Sequence, residues 1–122
     1  MILSYYKTNE KAYEPKYGTE NSACFDIFCS LNDFGVVTVY CKDNIVHKRR
    51  YENNSFWLYP GERALVPTNL IFNIPQGYSI RMHPRSGLSI KYGITLVNCE
   101  GVIDSDYIEP LFITIVNISD KI

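Results

Sequence analysis

The segment GVIDSDY, Gly101 to Tyr107, sets two carboxylates and a phenol between apolar runs. If the chain there stays extended, alternation puts Asp104 and Asp106 on one side and Ser105 on the other. One carboxylate could then orient a water while a nearby cation holds the other, and Tyr107 could offer a flat face to a sugar. The same residues also suit a hairpin turn whose aspartates bond their own backbone. A second stretch, HPRSGLSIKYG, brings other chemistry. Arg85 carries a planar fork of donors matched to phosphate oxygens, Ser86 adds a hydroxyl, and Gly87 lets a ligand approach the backbone. If Ser86 opens a helical turn, its free N–H groups form an anion site. A capped turn with a solvent-facing arginine is the alternative. The phosphate-cradling pattern G-x-x-x-x-G-K-[ST] is absent.

Other polar residues are less committed. Asp26 interrupts the apolar run SACFDIFCS. It is either an edge aspartate facing water or a carboxylate near a metal–phosphate complex. His47 and His83 have no acid or cysteine at a telling spacing, so neither is given a role. The run His47-Lys48-Arg49-Arg50 invites a nucleic-acid reading, but three cations on one hairpin arm more often form a solvated face.

Short strands must position these groups. Val36–Cys41 and Ile45–Tyr51 flank Lys42-Asp43-Asn44, a hairpin with a polar turn. After a turn at Pro60-Gly61, ALVPTNLIFNIP places Leu70, Phe72 and Ile74 on one face and Ile71 and Asn73 on the other. Pro75-Gln76-Gly77 closes that strand. Tyr78, Ile80 and Met82 then alternate with Ser79, Arg81 and His83. SGLSIKYG is the one candidate helical turn, opened by Ser86 and stopped by Gly93. The pattern predicts an all-β, jelly-roll-like barrel or sandwich of short strands with one short helical turn.

The totals narrow the classes. With 122 residues, 46% hydrophobic and 20% charged, the chain suits one ordinary globular domain. A net charge of -1 supplies no global field for nucleic acid, so any phosphate-binding cations must be local. No apolar run approaches the roughly 20 residues that span a bilayer. The N-terminus turns polar too early for a signal peptide, which favours the cytoplasm. Cys24, Cys29, Cys41 and Cys99 include no C-x-x-C pair and are expected as reduced, mostly buried thiols. Their spacing matches no common zinc pattern.

In order, SACFD, then PGERALVPTNLIFNIPQGYSIRMHPRSGLSIKYGI, then LVNCEGVIDSDY resembles the trimeric deoxyuridine triphosphatase (dUTPase) family, a β-clip fold. The resemblance covers that family's motifs one to three, between Ser22 and Tyr107. It implies magnesium-assisted hydrolysis of dUTP at the α-phosphorus, giving dUMP, the dTMP precursor, and pyrophosphate. It also implies a homotrimer with sites between subunits. Asp104 matches the aspartate that activates the attacking water, and Tyr107 the tyrosine under the deoxyribose that leaves no room for a 2′-hydroxyl. Asn98 and the backbone of Gly101, Val102 and Ile103 match the hairpin that recognises uracil. Arg85, Ser86 and Gly87 match the phosphate contacts, and Asp26 the aspartate near the magnesium ion's water shell.

The sequence departs from the family at three places. Ile108-Glu109-Pro110 replaces the usual arginine or threonine, glycine and acid after the tyrosine, and Pro110 has no N–H for a strand edge. The segment at about 33–58 reads as an inserted hairpin carrying Lys48, Arg49 and Arg50, placed to cover a trimer face or to bind a partner. Residues 1–122 form a single domain that lacks the family's fourth motif and its glycine-rich fifth-motif arm. The missing C-terminal motifs and the Ile108-Glu109-Pro110 departure favour a second expectation, a catalytically weakened dUTP-binding or regulatory protein on the same scaffold, which Asp104 and Tyr107 oppose. A third, the related dCTP deaminase, fits the uracil hairpin and Tyr107 less well.

Overall fold

A computed structural model describes residues 1–122. Its strands are β1 Ser4–Lys7, β2 Lys16–Tyr17, β3 Phe25–Asp26, β4 Phe34–Tyr40, β5 Val46–Glu52, β6 Arg63–Pro67, β7 Leu70–Asn73 and β8 Ser79–Met82. The helix α1 Ser86–Tyr92 follows, then β9 Ile94–Leu96, β10 Gly101–Asp104 and β11 Phe112–Asn117. The all-β expectation with one short helix holds. Five strands form a sheet in the order β5-β4-β6-β11-β9, and β1-β7, β8-β10 and β2-β3 form two-stranded ribbons. No helix is long and apolar enough to cross a membrane.

The expected hairpin is present. β4 and β5 pair from Phe34↔Glu52 to Tyr40↔Val46, and the Asp43 carboxylate accepts from the Ile45 N–H at 3.1 Å. Its three cations do not form one solvated face, however. Arg49 lies across from Val37, which is buried, so strand alternation turns Arg49 inward while Lys48 and Arg50 face out. Arg49 meets Glu62, which is buried at the start of β6.

Alternation in LIFNI is confirmed: Leu70, Phe72 and Ile74 are buried and Asn73 is exposed. These three pack with Ala12, Ile103 and Leu111 in one core, so a residue within GVIDSDY and one soon after it are themselves core residues. A second core under the large sheet holds Val37, Val39, Tyr51, Leu58, Ala64 and Val66. Each fully buried apolar side chain stabilises by about 1.5–3 kcal/mol.

Arg85, with extended backbone (φ -81, ψ 130), occupies the N-cap position of α1, and no side chain caps the helix. Ser86 is its first helical residue. Gly93 ends it in the left-handed region at φ 66, where a Cβ would lie 2.8 Å from the Ser119 Cβ. The cysteines correct an expectation. None is paired, but Cys24 and Cys99 are exposed and Cys29 and Cys41 only half-buried. Cys24 and Cys99 sit in bends just ahead of β3 and β10, where neither core reaches.

Candidate functional site

β10 runs antiparallel to β8, from Gly101↔Met82 to Asp104↔Ser79. Ile103 points into the core, and Val102 and Asp104 point out. At Gly101 a Cβ would stand 2.9 Å from the flexible Met82 Cε, which must shift, and 3.4 Å from the Asn98 Nδ2.

The strand does not continue through GVIDSDY. The Tyr107 N–H donates to the Asp104 carbonyl at 3.1 Å and closes a turn over Ser105 and Asp106. Of the two readings of this segment the turn holds, and the chain reverses over Ser105 and Asp106 instead of staying extended. Asp104 and Asp106 nevertheless line one cavity of about 400 Å³, together with Asn98, Gly101, Val102, Ile103 and Tyr107.

The segment beyond this turn is pinned from the core. The Tyr107 hydroxyl donates to the Pro110 carbonyl at 3.0 Å. The Leu111 carbonyl accepts from the fully buried Thr68 through its Oγ1 at 2.8 Å and its N–H at 3.1 Å. Ile108-Glu109-Pro110 forms no strand, so β10 pairs only with β8, as the proline implied.

On the other side of the cavity, the bend from Val97 to Glu100 carries Asn98. The Val97 N–H donates to the Thr114 carbonyl at 3.0 Å, and the Thr114 hydroxyl reaches the Asn98 Oδ1 at 3.4 Å. Cys99 takes the left-handed conformation at φ 60, and the Glu100 N–H donates to the Asn98 carbonyl at 2.6 Å. Arg81 Nη1 lies 2.5 Å from Glu100 Oε1, and this hydrogen-bonded cation holds the Glu100 carboxyl below its ordinary range. Nothing in the spacing of the sequence signals Thr114, which reaches the site only through the pairing of β11 with β9. Glu100 stands between Asn98 and Gly101 in the chain, and its ion pair with Arg81 has no sequence signal.

The phosphate candidates lie elsewhere. Arg85, Ser86 and Gly87 border a separate concavity of about 390 Å³ with Lys91 and Tyr92. Asp26 lies at the end of β3, half-buried, with its Oδ2 3.9 Å from Arg85 Nη1. These two line a third cavity of about 550 Å³ with Tyr17 and His83. One chain thus gathers Asn98, Gly101–Asp104 and Tyr107, and separately brings Asp26 to Arg85. It does not join the two groups.

A family model described as dUTPase matches residues 51–122. The deoxyuridine 5'-triphosphate nucleotidohydrolase of Finegoldia magna is 53% identical over 73 residues, covering 60% of this chain and 51% of that protein. The protein of the same name from Fusobacterium nucleatum is 39% identical over 107 residues, 88% of this chain and 59% of its own length. The chain therefore spans only half to three-fifths of these relatives. Among solved structures, the dUTPase of phage phi11 of S. aureus superposes with a TM-score of 0.71 at 26% identity, covering 98% of this chain and 61% of that one. A mutant of that phage enzyme, with a TM-score of 0.70, is described as coordinating a structural Mg(II) ion. The match over more than half of the chain, on a fold that gathers Asn98, Asp104 and Tyr107 in one cavity, places this protein in the dUTPase family.

Proposed function

We propose that the protein hydrolyses dUTP to dUMP and pyrophosphate, in a homotrimer whose sites form between subunits. The observation that carries this reading is the split between two concavities. The cavity beside β10 offers backbone groups for a base, Tyr107 for a sugar and Asp104 for a water, yet no side-chain cation lines it. Arg85, Ser86 and Gly87 border a different surface of the same chain. A neighbouring copy that sets its Arg85 turn over this cavity would supply the missing phosphate donors.

The molecular surface supports association. The chain exposes 8612 Å², whereas a compact 14.1 kDa monomer exposes about 6,700 Å². Trp57, Phe34, Ile90 and Ile108 are each more than two-thirds exposed, an arrangement that calls for cover.

Each residue then has a task. The open backbone edge of Gly101–Ile103 presents donors and acceptors to uracil, and cytosine would leave such a group unpaired at a cost of about 1–3 kcal/mol. Tyr107, held by its bond to Pro110, packs under the deoxyribose. Asp104, on the exposed face of β10, takes the proton of the attacking water. Arg85 and the turn N–H groups stabilise charge that builds on the phosphates. The half-buried Asp26 carboxylate, 3.9 Å from the Arg85 guanidinium, suits an outer partner to a magnesium ion carried by the substrate's phosphates. Such an ion neutralises phosphate charge and holds the group for in-line attack.

The weakened dUTP-binding reading is favoured by one feature, the absence of a strand opposite β10 after Tyr107. Mixing variants tests the intersubunit site directly. Asp104→Asn and Arg85→Ala should each be inactive alone, and co-refolded mixtures should regain turnover at interfaces that pair two intact halves. Mixtures as inactive as either variant would contradict the shared site.

A further inference from the structure

On the exposed face of the β8–β10 ribbon, Arg81 stands directly across from Val102. Asp104 lies two residues beyond Val102 on β10, a diagonal neighbour of Arg81 at about 7–8 Å between backbones, and Glu100 lies two residues before Val102, in the bend just ahead of the strand. Arg81 takes Glu100, at 2.5 Å, and makes no ion pair with Asp104. The choice matters for chemistry. A carboxylate paired with a guanidinium has its oxygens occupied and is a weaker base. We infer that Glu100 is a positioning residue that holds Arg81 away from Asp104, leaving that carboxylate free to take a proton from water.

The inference rests on the proposed hydrolysis, and the geometry around Glu100 supports it. Glu100 is carried by a tightly wound bend, with Cys99 at φ 60 and the Glu100 N–H on the Asn98 carbonyl at 2.6 Å. The charged and titratable groups around this face are Arg81 on β8, Glu100 in the bend with His83 beside it at the far end of the ribbon from Asp104, and Asp106 and Tyr107 in the turn after β10. Arg81 is the one permanent cation that this chain itself brings to this face. Its partner therefore decides whether Asp104 is paired. Arg81 is 62% exposed, so it can swing between the two carboxylates without disturbing either core.

Three variants of the full gene product test this. Glu100→Gln should release Arg81 to Asp104 and lower kcat by about tenfold or more, within the range a general base supplies. KM should change little, and the acid limb of the pH–rate profile should move to lower pH. Arg81→Met should stay close to the unmodified protein, and the double variant should recover the rate of Arg81→Met. If the double variant remains as slow as Glu100→Gln, or Arg81→Met is equally slow, the pair merely braces the bend and the inference is overturned. A crystal structure of Glu100→Gln gives a readout independent of turnover. Arg81 within about 4 Å of the Asp104 carboxylate is expected. Arg81 directed into solvent overturns the inference, including in a protein that proves not to hydrolyse dUTP.

Discussion

Arg49 grips the carboxylate of Glu62 with both arms of its guanidinium, one to Oε2 and the other to Oε1 at 3.0 Å. The Glu62 Oε2 also accepts the Tyr59 N–H at 2.9 Å, and Arg49 lies 5.2 Å from the centre of the Tyr59 ring. Glu62 is 7% exposed, so the pair joins the β4–β5 hairpin to β6 where the second core ends. Removing one partner leaves the other charge desolvated and unmatched, a cost of about 3–5 kcal/mol for buried pairs. Glu62→Gln is expected to lose about 3 kcal/mol in urea unfolding.

The same pair sets an acid limit. Arg49 lowers the Glu62 carboxyl from its ordinary 4.5 to about 2 in the folded chain. A depressed carboxyl stabilises above its unfolded value, and the contribution disappears as pH falls from 4.5 through about 2. Its full size is roughly 3 kcal/mol, at about 1.36 kcal/mol per pH unit. Unfolding midpoints recorded across that window should fall in the unmodified protein, and the slope should be shallower in Glu62→Gln.

Thr68 connects the core to the cavity beside β10. Its hydroxyl donates to the Leu111 carbonyl and accepts the Leu70 N–H at 3.2 Å. Thr68→Val keeps the shape and strands that N–H, at a cost of about 1–3 kcal/mol. Faster amide exchange at Leu70 and Leu111 should accompany the loss, since the segment after Tyr107 would keep one fewer anchor.

Gly101 separates fold from recognition. A Cβ there meets the flexible tip of Met82 first, which can yield, and the Asn98 amide second. Gly101→Ala should therefore unfold within about 1 kcal/mol of the unmodified protein, as overpacking at a yielding site predicts. Its binding of dUMP, followed by calorimetry, should weaken by about tenfold, equivalent to about 1.4 kcal/mol.

Local patterning made parts of this architecture legible. The buried face of Leu70, Phe72 and Ile74, the β4–β5 hairpin and the helix stopped at Gly93 all follow from periodicity and turn chemistry. Arg49 reads as surface because its partner Glu62 lies 13 residues away, just ahead of β6, and a charge run looks solvated until strand pairing turns one member inward. GVIDSDY reverses at Ser105 as its turn-forming aspartates suggest, with a backbone bond from Tyr107 to Asp104 closing the turn. Asn98, Asp104 and Tyr107 share a cavity through β8–β10 pairing and the Thr68 anchor, which no local spacing encodes.

Pyrophosphate release from dUTP by the full gene product, measured beside Asp104→Asn and with dCTP and dTTP as controls, tests the central claim most directly. The account predicts release from dUTP alone by the unmodified protein. In Asp104→Asn, turnover should fall by at least about a hundredfold while dUMP binding is retained, since a general base contributes about 10²–10⁴ in rate. No release by the unmodified protein, or an Asp104→Asn variant that loses binding and rate in equal measure, would contradict it.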